Sequence, residues 1–258
     1  MHKARLCAAA VIALCATLAF AAANTIMIGA FSAARPGSAF PEGWAPLGLQ
    51  NVRNRTRYAL VNDDGKTVLR AESNAAASGL SRKLHADPAE YPLLRWRWKV
   101  SNTLKGGDVY KKEGDDYPAR IYVMFDYPIE KLPFDERRKL RMARALHDPD
   151  LPAATLCYVW DSKAPPGTIT PSTYTDRVRM VVVESGPARV KRWVDVERDV
   201  YRDFRAAFGE APPAISAIAV ATDTDNTGET VTAWYGDISL HKRAVSASPP
   251  RHKPADGQ

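Results

Sequence analysis

The stretch Ile218–Leu240, IAVATDTDNTGETVTAWYGDISL, decides how the fold is read. An apolar run, Ile218–Ala221, leads into Asp223-Thr224-Asp225-Asn226-Thr227-Gly228, and a second strand-like run, Val231–Leu240, leads out. Asp, Asn and Gly favour tight turns, because short polar side chains bond local backbone and Gly tolerates positive φ. The stretch therefore reads strand, acidic turn, strand. The same turn gathers two carboxylates, an amide and hydroxyls, the hard oxygen donors that calcium takes. Asp223, Asp225 and Thr227 at alternate positions, followed by Gly228, match the first half of a calcium loop. Trp234 stands where an EF-hand needs a bidentate Glu, and no helices flank the turn, so an EF-hand is excluded. Two readings remain: a structural calcium on Asp223, Asp225 and Thr227, or a hairpin turn held by side-chain bonds to backbone.

Working outward, strand signals dominate. Leu94–Val100, LRWRWKV, alternates without a fault: Leu94, Trp96, Trp98 and Val100 share one face, Arg95, Arg97 and Lys99 the other. Period-two alternation marks a half-buried strand. Ala119–Asp126 alternates in the same way, with Arg120, Tyr122, Met124 and Asp126 on its polar face. Arg57–Leu60 and Thr67–Ala71 flank Asn62-Asp63-Asp64-Gly65, a hairpin signal. Ser78–Leu84, Thr155–Trp160, Arg177–Glu184 and Arg192–Glu197 add further strands, and Phe31–Trp44 reads as an arm whose aromatics dock on the core. Only Phe134–His147, with Asp135 as its cap, and Asp199–Phe208, ended by Gly209, carry helical spacing. Many short alternating strands with two short helical insertions predict an all-β fold, an antiparallel β-sandwich, with a closed barrel as the alternative. The acidic turn is expected at the rim of its two layers.

The ends of the chain differ in kind from this middle. Lys3 and Arg5, the apolar run Leu6–Phe20 and Ala21-Ala22-Ala23 spell a secretory signal peptide over residues 1–23, with an uncleaved membrane anchor as the alternative reading. Residues 24–243 are then the sandwich domain, and 244–258 a basic, Pro-containing disordered tail. Losing Lys3 and Arg5 takes the net charge from +7 to +5. For an exported chain that mild excess argues against nucleic acid and for no more than weak contact with anionic envelope surfaces. Cys157 is the one cysteine left after residue 23, so no internal disulfide forms. No later stretch is long and apolar enough to span a membrane. The expected location is periplasmic or secreted.

Several segments together, SGLSRKL (78–84), YPLLRWRWKV (91–100), GDDYPARIYVMFD (114–126), ERDVYRDF with AFGE (197–210), and ATDTDNTGE with YGDISL (221–240), resemble a bacterial family of secreted proteins classed as a domain of unknown function. That resemblance covers nearly all of the mature chain and implies no activity. The order of elements also resembles the galactose-binding-like jelly-roll carbohydrate-binding modules, a likeness of fold that implies a sandwich and not, by itself, sugar binding.

These residues lead to three functional expectations. The first is a binding module for a polar ligand such as an envelope glycan, with Arg97, Arg120, Tyr122, Asn226 and Asp237 as contacts. The second is a glycosidase-like hydrolase using two of Asp115, Asp116, Asp223 and Asp225 as acid and base, since paired carboxylates are what that chemistry requires. The third is a non-catalytic envelope interaction protein. Binding is favoured over catalysis. No cofactor is expected beyond the calcium reading. Phosphate-binding Gly loops, G-x-S-x-G and paired zinc-spaced His are absent from the sequence.

Overall fold

Leu93–Val100 forms the strand that its alternation predicts, and Leu94, Trp98 and Val100 are fully buried on one face. A computed structural model describes residues 24–38, 40–47, 52–146 and 149–244 around it. The expected signal peptide, residue 147 and the tail beyond residue 244 lie outside the described residues. In chain order the strands are β1 (Thr25–Gly29), β2 (Ala45–Leu47), β3 (Arg57–Asp63), β4 (Lys66–Asn74), β5 (Ala77–Ala86), β6 (Leu93–Val100) and β7 (Ala119–Phe125). Helix α1 (Phe134–Leu146) follows, then β8 (Ala154–Asp161), β9 (Ile169–Pro171), β10 (Val178–Ser185) and β11 (Val194–Asp199). Helix α2 (Val200–Phe208), β12 (Ile215–Asp223), β13 (Thr230–Tyr235) and β14 (Ile238–His241) complete the described chain.

The strands form a jelly-roll-like sandwich of two seven-stranded sheets. The first runs β1-β14-β6-β13-β4-β3, with β11 on the other side of β6; the second runs β2-β5-β12-β7-β8-β10-β9. Pairing is antiparallel throughout except for β8 with β10. That exception follows from burial. All eight residues of β8 are buried, the mark of a strand covered on both faces, where continuous apolar character suits parallel pairing. Its outward residues Cys157 and Val159 lie under Val109 and Tyr117 of the long 101–118 loop.

Between the sheets, Trp98 of β6 faces Trp160 of β8 at 6.2 Å, and Trp96 faces Tyr158 at 5.4 Å. These large rings supply much of the apolar area removed from water, the main drive to fold. Asp199 caps α2 by accepting the Arg202 N–H at 3.0 Å, and Gly209, at φ +79°, ends it in the left-handed region. Phe204 of α2 then packs on Phe125 of β7 at 4.6 Å. The 62–65 turn is a tight hairpin with Asp64 and Gly65 at φ +50° and +80°.

Further details depart from the sequence reading. Val231–Leu240 is two strands, broken at Gly236-Asp237. β12 and β13 sit in different sheets, so the acidic turn is a corner between layers and not a hairpin. Asp135 lies in the first turn of α1 and does not cap it. Of the arm aromatics, Phe31 and Trp44 are buried with rings 5.4 Å apart, while Phe40 is exposed.

Candidate functional site

β12 ends at the corner, at Asp223, and the 101–118 loop runs beside it. The two acidic pairs meet. Carboxylate oxygens of Asp116, Asp223 and Asp225 all lie within 4.8 Å of one another. Arg120 stands on the outer face of β7, where strand alternation places it, and is nearly fully buried. Its guanidinium clamps Asp223, with Nε to Oδ1 at 2.9 Å and Nη2 to Oδ2. The same group bonds the Tyr122 hydroxyl at 3.1 Å and the Asp115 carbonyl at 2.7 Å, and lies 4.4 Å over the Tyr117 ring. Burial needs this: an unpaired carboxylate here would cost several kcal/mol, and a two-pronged guanidinium is its best partner.

Asp116 is buried as well. Its two oxygens accept the backbone N–H groups of Asn226 at 3.3 Å and Thr227 at 2.6 Å. Asn226 in turn donates to the Lys112 carbonyl at 2.8 Å, and Glu229 accepts from the N–H groups of Lys105 and Gly106. The corner is thus sewn to the loop through side chains on both. Gly106 allows the close approach: a methyl there would meet Thr227 Cγ2 at 2.7 Å.

This donor set fits calcium poorly. Asp223 already has a cation, both oxygens of Asp116 serve backbone donors, and the Thr227 hydroxyl bonds the Glu229 N–H at 3.4 Å. Of the three carboxylates only that of Asp225, at the exposed end of the group, is held by no residue other than its own backbone. Partial burial and the neighbouring Asp116 raise the Asp225 pKa, and burial raises that of Asp115 against the pull of Arg120. Those directions suit a general acid, yet Asp116 and Asp223 are closed to a substrate. Burial pushes the Cys157 thiol up to about 12, which makes it inert.

A second place lies on the opposite side of the sandwich. Arg97 projects from the outer face of β6, in the first sheet, whereas Arg120 and Tyr122 project from the outer face of β7, in the second. The five expected ligand contacts therefore divide. Arg120, Tyr122 and Asn226 belong to the corner; Arg97 and Asp237 belong to a groove of about 650 Å³. The groove exists because the sheet splits. β6 pairs first with β14 and then with β13 along one edge, and these two lead away to β1 and to β4. Gly236, between them, lets the Arg97 side chain lie directly against the backbone at the break. Lys66, Arg95 and Arg97 line it with Asp195, Glu197 and Asp237.

Within the groove some groups are already engaged. Arg95 pairs with Glu197, and Asp237 accepts both the Ser32 N–H, at 2.8 Å, and its hydroxyl. Arg97 lies 4.2 Å over the Trp193 ring, whose Nε1 is held by Asp63 at 2.9 Å. Lys66 and Asp195 are exposed at the groove wall. Neither they nor Trp193 stood out in the sequence. What pointed here in the sequence was the cationic face Arg95, Arg97 and Lys99 of an alternating strand, together with Asp237.

The family described as "Protein of unknown function (DUF3047)" matches residues 42–239. No curated protein matches the sequence. Among solved structures, a family 30 carbohydrate-binding module is similar at 13% identity and a TM-score of 0.38, over 89% of this chain and 93% of that one. The family 30 carbohydrate-binding module of a cellulosomal cellulase of Clostridium thermocellum gives 12% and 0.36, over 85% and 99%. A native family 12 xyloglucanase from Bacillus licheniformis gives 7% and 0.43, over 85% and 100%. Likenesses this distant bear on neither ligand nor reaction.

Proposed function

The chain belongs to the DUF3047 family of proteins of unknown function, and from that premise we propose that it is an exported, non-catalytic module that binds a polar glycan in the groove over β6. The groove itself carries this reading. It is open, of a size for one or two sugar rings, and edged by charged side chains of both signs. Planar guanidinium and carboxylate groups each offer paired donors or paired acceptors, which match the vicinal hydroxyls of a sugar. The commitment of Asp116 and Asp223 to buried partners supports binding without turnover. Among the described residues no helix is long and apolar enough to cross a membrane.

Binding of purified mature protein to a panel of envelope polysaccharides and oligosaccharides, followed by titration calorimetry on any hit, tests the proposal. Arg97→Ala should weaken a hit by about tenfold, the scale of one charged hydrogen bond. Tyr122→Phe, on the other sheet, should leave it unchanged. Absence of binding across the panel, or equal loss in both variants, would refute the site.

A further inference from the structure

Helix α1 turns its polarity the wrong way round for a surface helix. The side toward the sandwich is polar and bonded: Glu136 lies 3.8 Å from Arg177, and Arg144 donates to the Leu151 carbonyl at 2.9 Å. Leu140 alone joins the main core from this helix. The side toward solvent holds the bulky apolar residues. Phe134 is 70% exposed, Met142 60% and Leu146 64%, and no residue of the helix is buried. With 3.6 residues per turn, these three fall within about a third of a turn of one another. Arg138, Lys139 and Arg141 share that outward half, against Asp135 alone, and none has an ion-pair partner among the described residues.

We propose that α1 is a docking helix for an anionic phospholipid surface, lying flat with Phe134, Met142 and Leu146 in the acyl boundary and its outward cations on the phosphates. An interfacial helix needs this combination of bulky apolar groups and Lys or Arg on one exposed side. The cations supply the charge complementarity, since each adds attraction to an acidic headgroup layer. The apolar groups are strung along the helix and do not cluster into a plug, which suits a fluid planar partner better than a socket in a protein. α1 connects β7 to β8 in the second sheet, so docking leaves the groove of the first sheet free. The inference is independent of what that groove binds.

Co-sedimentation of the mature protein with vesicles of mixed phosphatidylglycerol and phosphatidylethanolamine, compared with phosphatidylcholine vesicles, tests it. Binding should favour the acidic vesicles and fall steeply as salt rises. Arg138→Glu with Arg141→Glu should reduce partitioning by at least about tenfold. Phe134→Ser with Met142→Ser and Leu146→Ser should abolish it at high salt and low, with an unchanged melting curve. No binding, equal binding to both vesicle types, or binding untouched by either set of substitutions would overturn the proposal. So would self-association of the wild-type protein that the serine variant removes, which would make the occupant a second copy of the chain.

Discussion

At the scale of single residues, Arg120 bears the greatest demand. Its side chain and that of Asp223 are 6% and 11% exposed, and Arg120 is the one cation paired with Asp223 among the described residues, with the Asp115 carboxylate a second anion 3.8 Å from the guanidinium. Arg120→Ala should destabilise the fold by about 3–5 kcal/mol, the cost of stranding a buried carboxylate, measured by chemical denaturation. Arg120→Lys should recover little, because an ammonium cannot reproduce the two-pronged contact. His241 gives a pH test. Burial, helped by Arg95, lowers its pKa, while Glu197 opposes the shift. Its ring contacts the Thr25 and Ser239 hydroxyls at 3.0 and 2.8 Å. A lowered folded-state value means its contribution is complete above about pH 6.5, the unfolded value, and is lost as pH falls through the folded one. Melting temperature should therefore drop more between pH 7 and 5 in the wild type than in His241→Gln. The sequence made both acidic pairs legible as pairs. It did not reveal that a guanidinium 103 residues away neutralises one of them, because a strand's polar face shows its chemistry but not its neighbours.

At the scale of elements, the break between β13 and β14 matters most. A methyl at position 236 would sit 2.5 Å from Arg97 Cγ and 2.7 Å from Nε. An arginine side chain can swing away, so Gly236→Ala should keep the sheet and shift Arg97 off the Trp193 ring. Affinity for a groove ligand should fall about tenfold by calorimetry while the melting curve stays close to wild type. Long alternating strands such as β6 and β7 were readable because seven or eight residues establish a period of two. β2 and β9, at three residues each, were not, since so short a run carries no period. Reading 231–240 as one strand failed because its apolar spacing continues through the Gly-Asp step that redirects the backbone.

At the scale of the molecule, two layers were legible, and which strand joins which layer was not. Alternation says that a strand has two faces. It does not assign the strand to a sheet, and so Arg97 and Arg120 look like neighbours in sequence logic yet stand on opposite outer faces. The layers are held together by the rings of β6 and β8. Trp98→Ala, which removes a fully buried indole 6.2 Å from Trp160, should cost about 3–5 kcal/mol in equilibrium unfolding, the range for emptying such a site.

The order in which β6 acquires its partners has its own consequence. β11, β13 and β14, all of its hydrogen-bonded neighbours, come from the last quarter of the described chain. A ribosome delivers this central strand early and its companions late, so β6 cannot be paired until synthesis is nearly finished, although the β3–β4 hairpin of the same layer can form early. Such a delay keeps the nascent polypeptide pliable, the state in which a chain can be threaded through a translocation channel, and it leaves a tryptophan-rich strand in need of a chaperone's cover meanwhile.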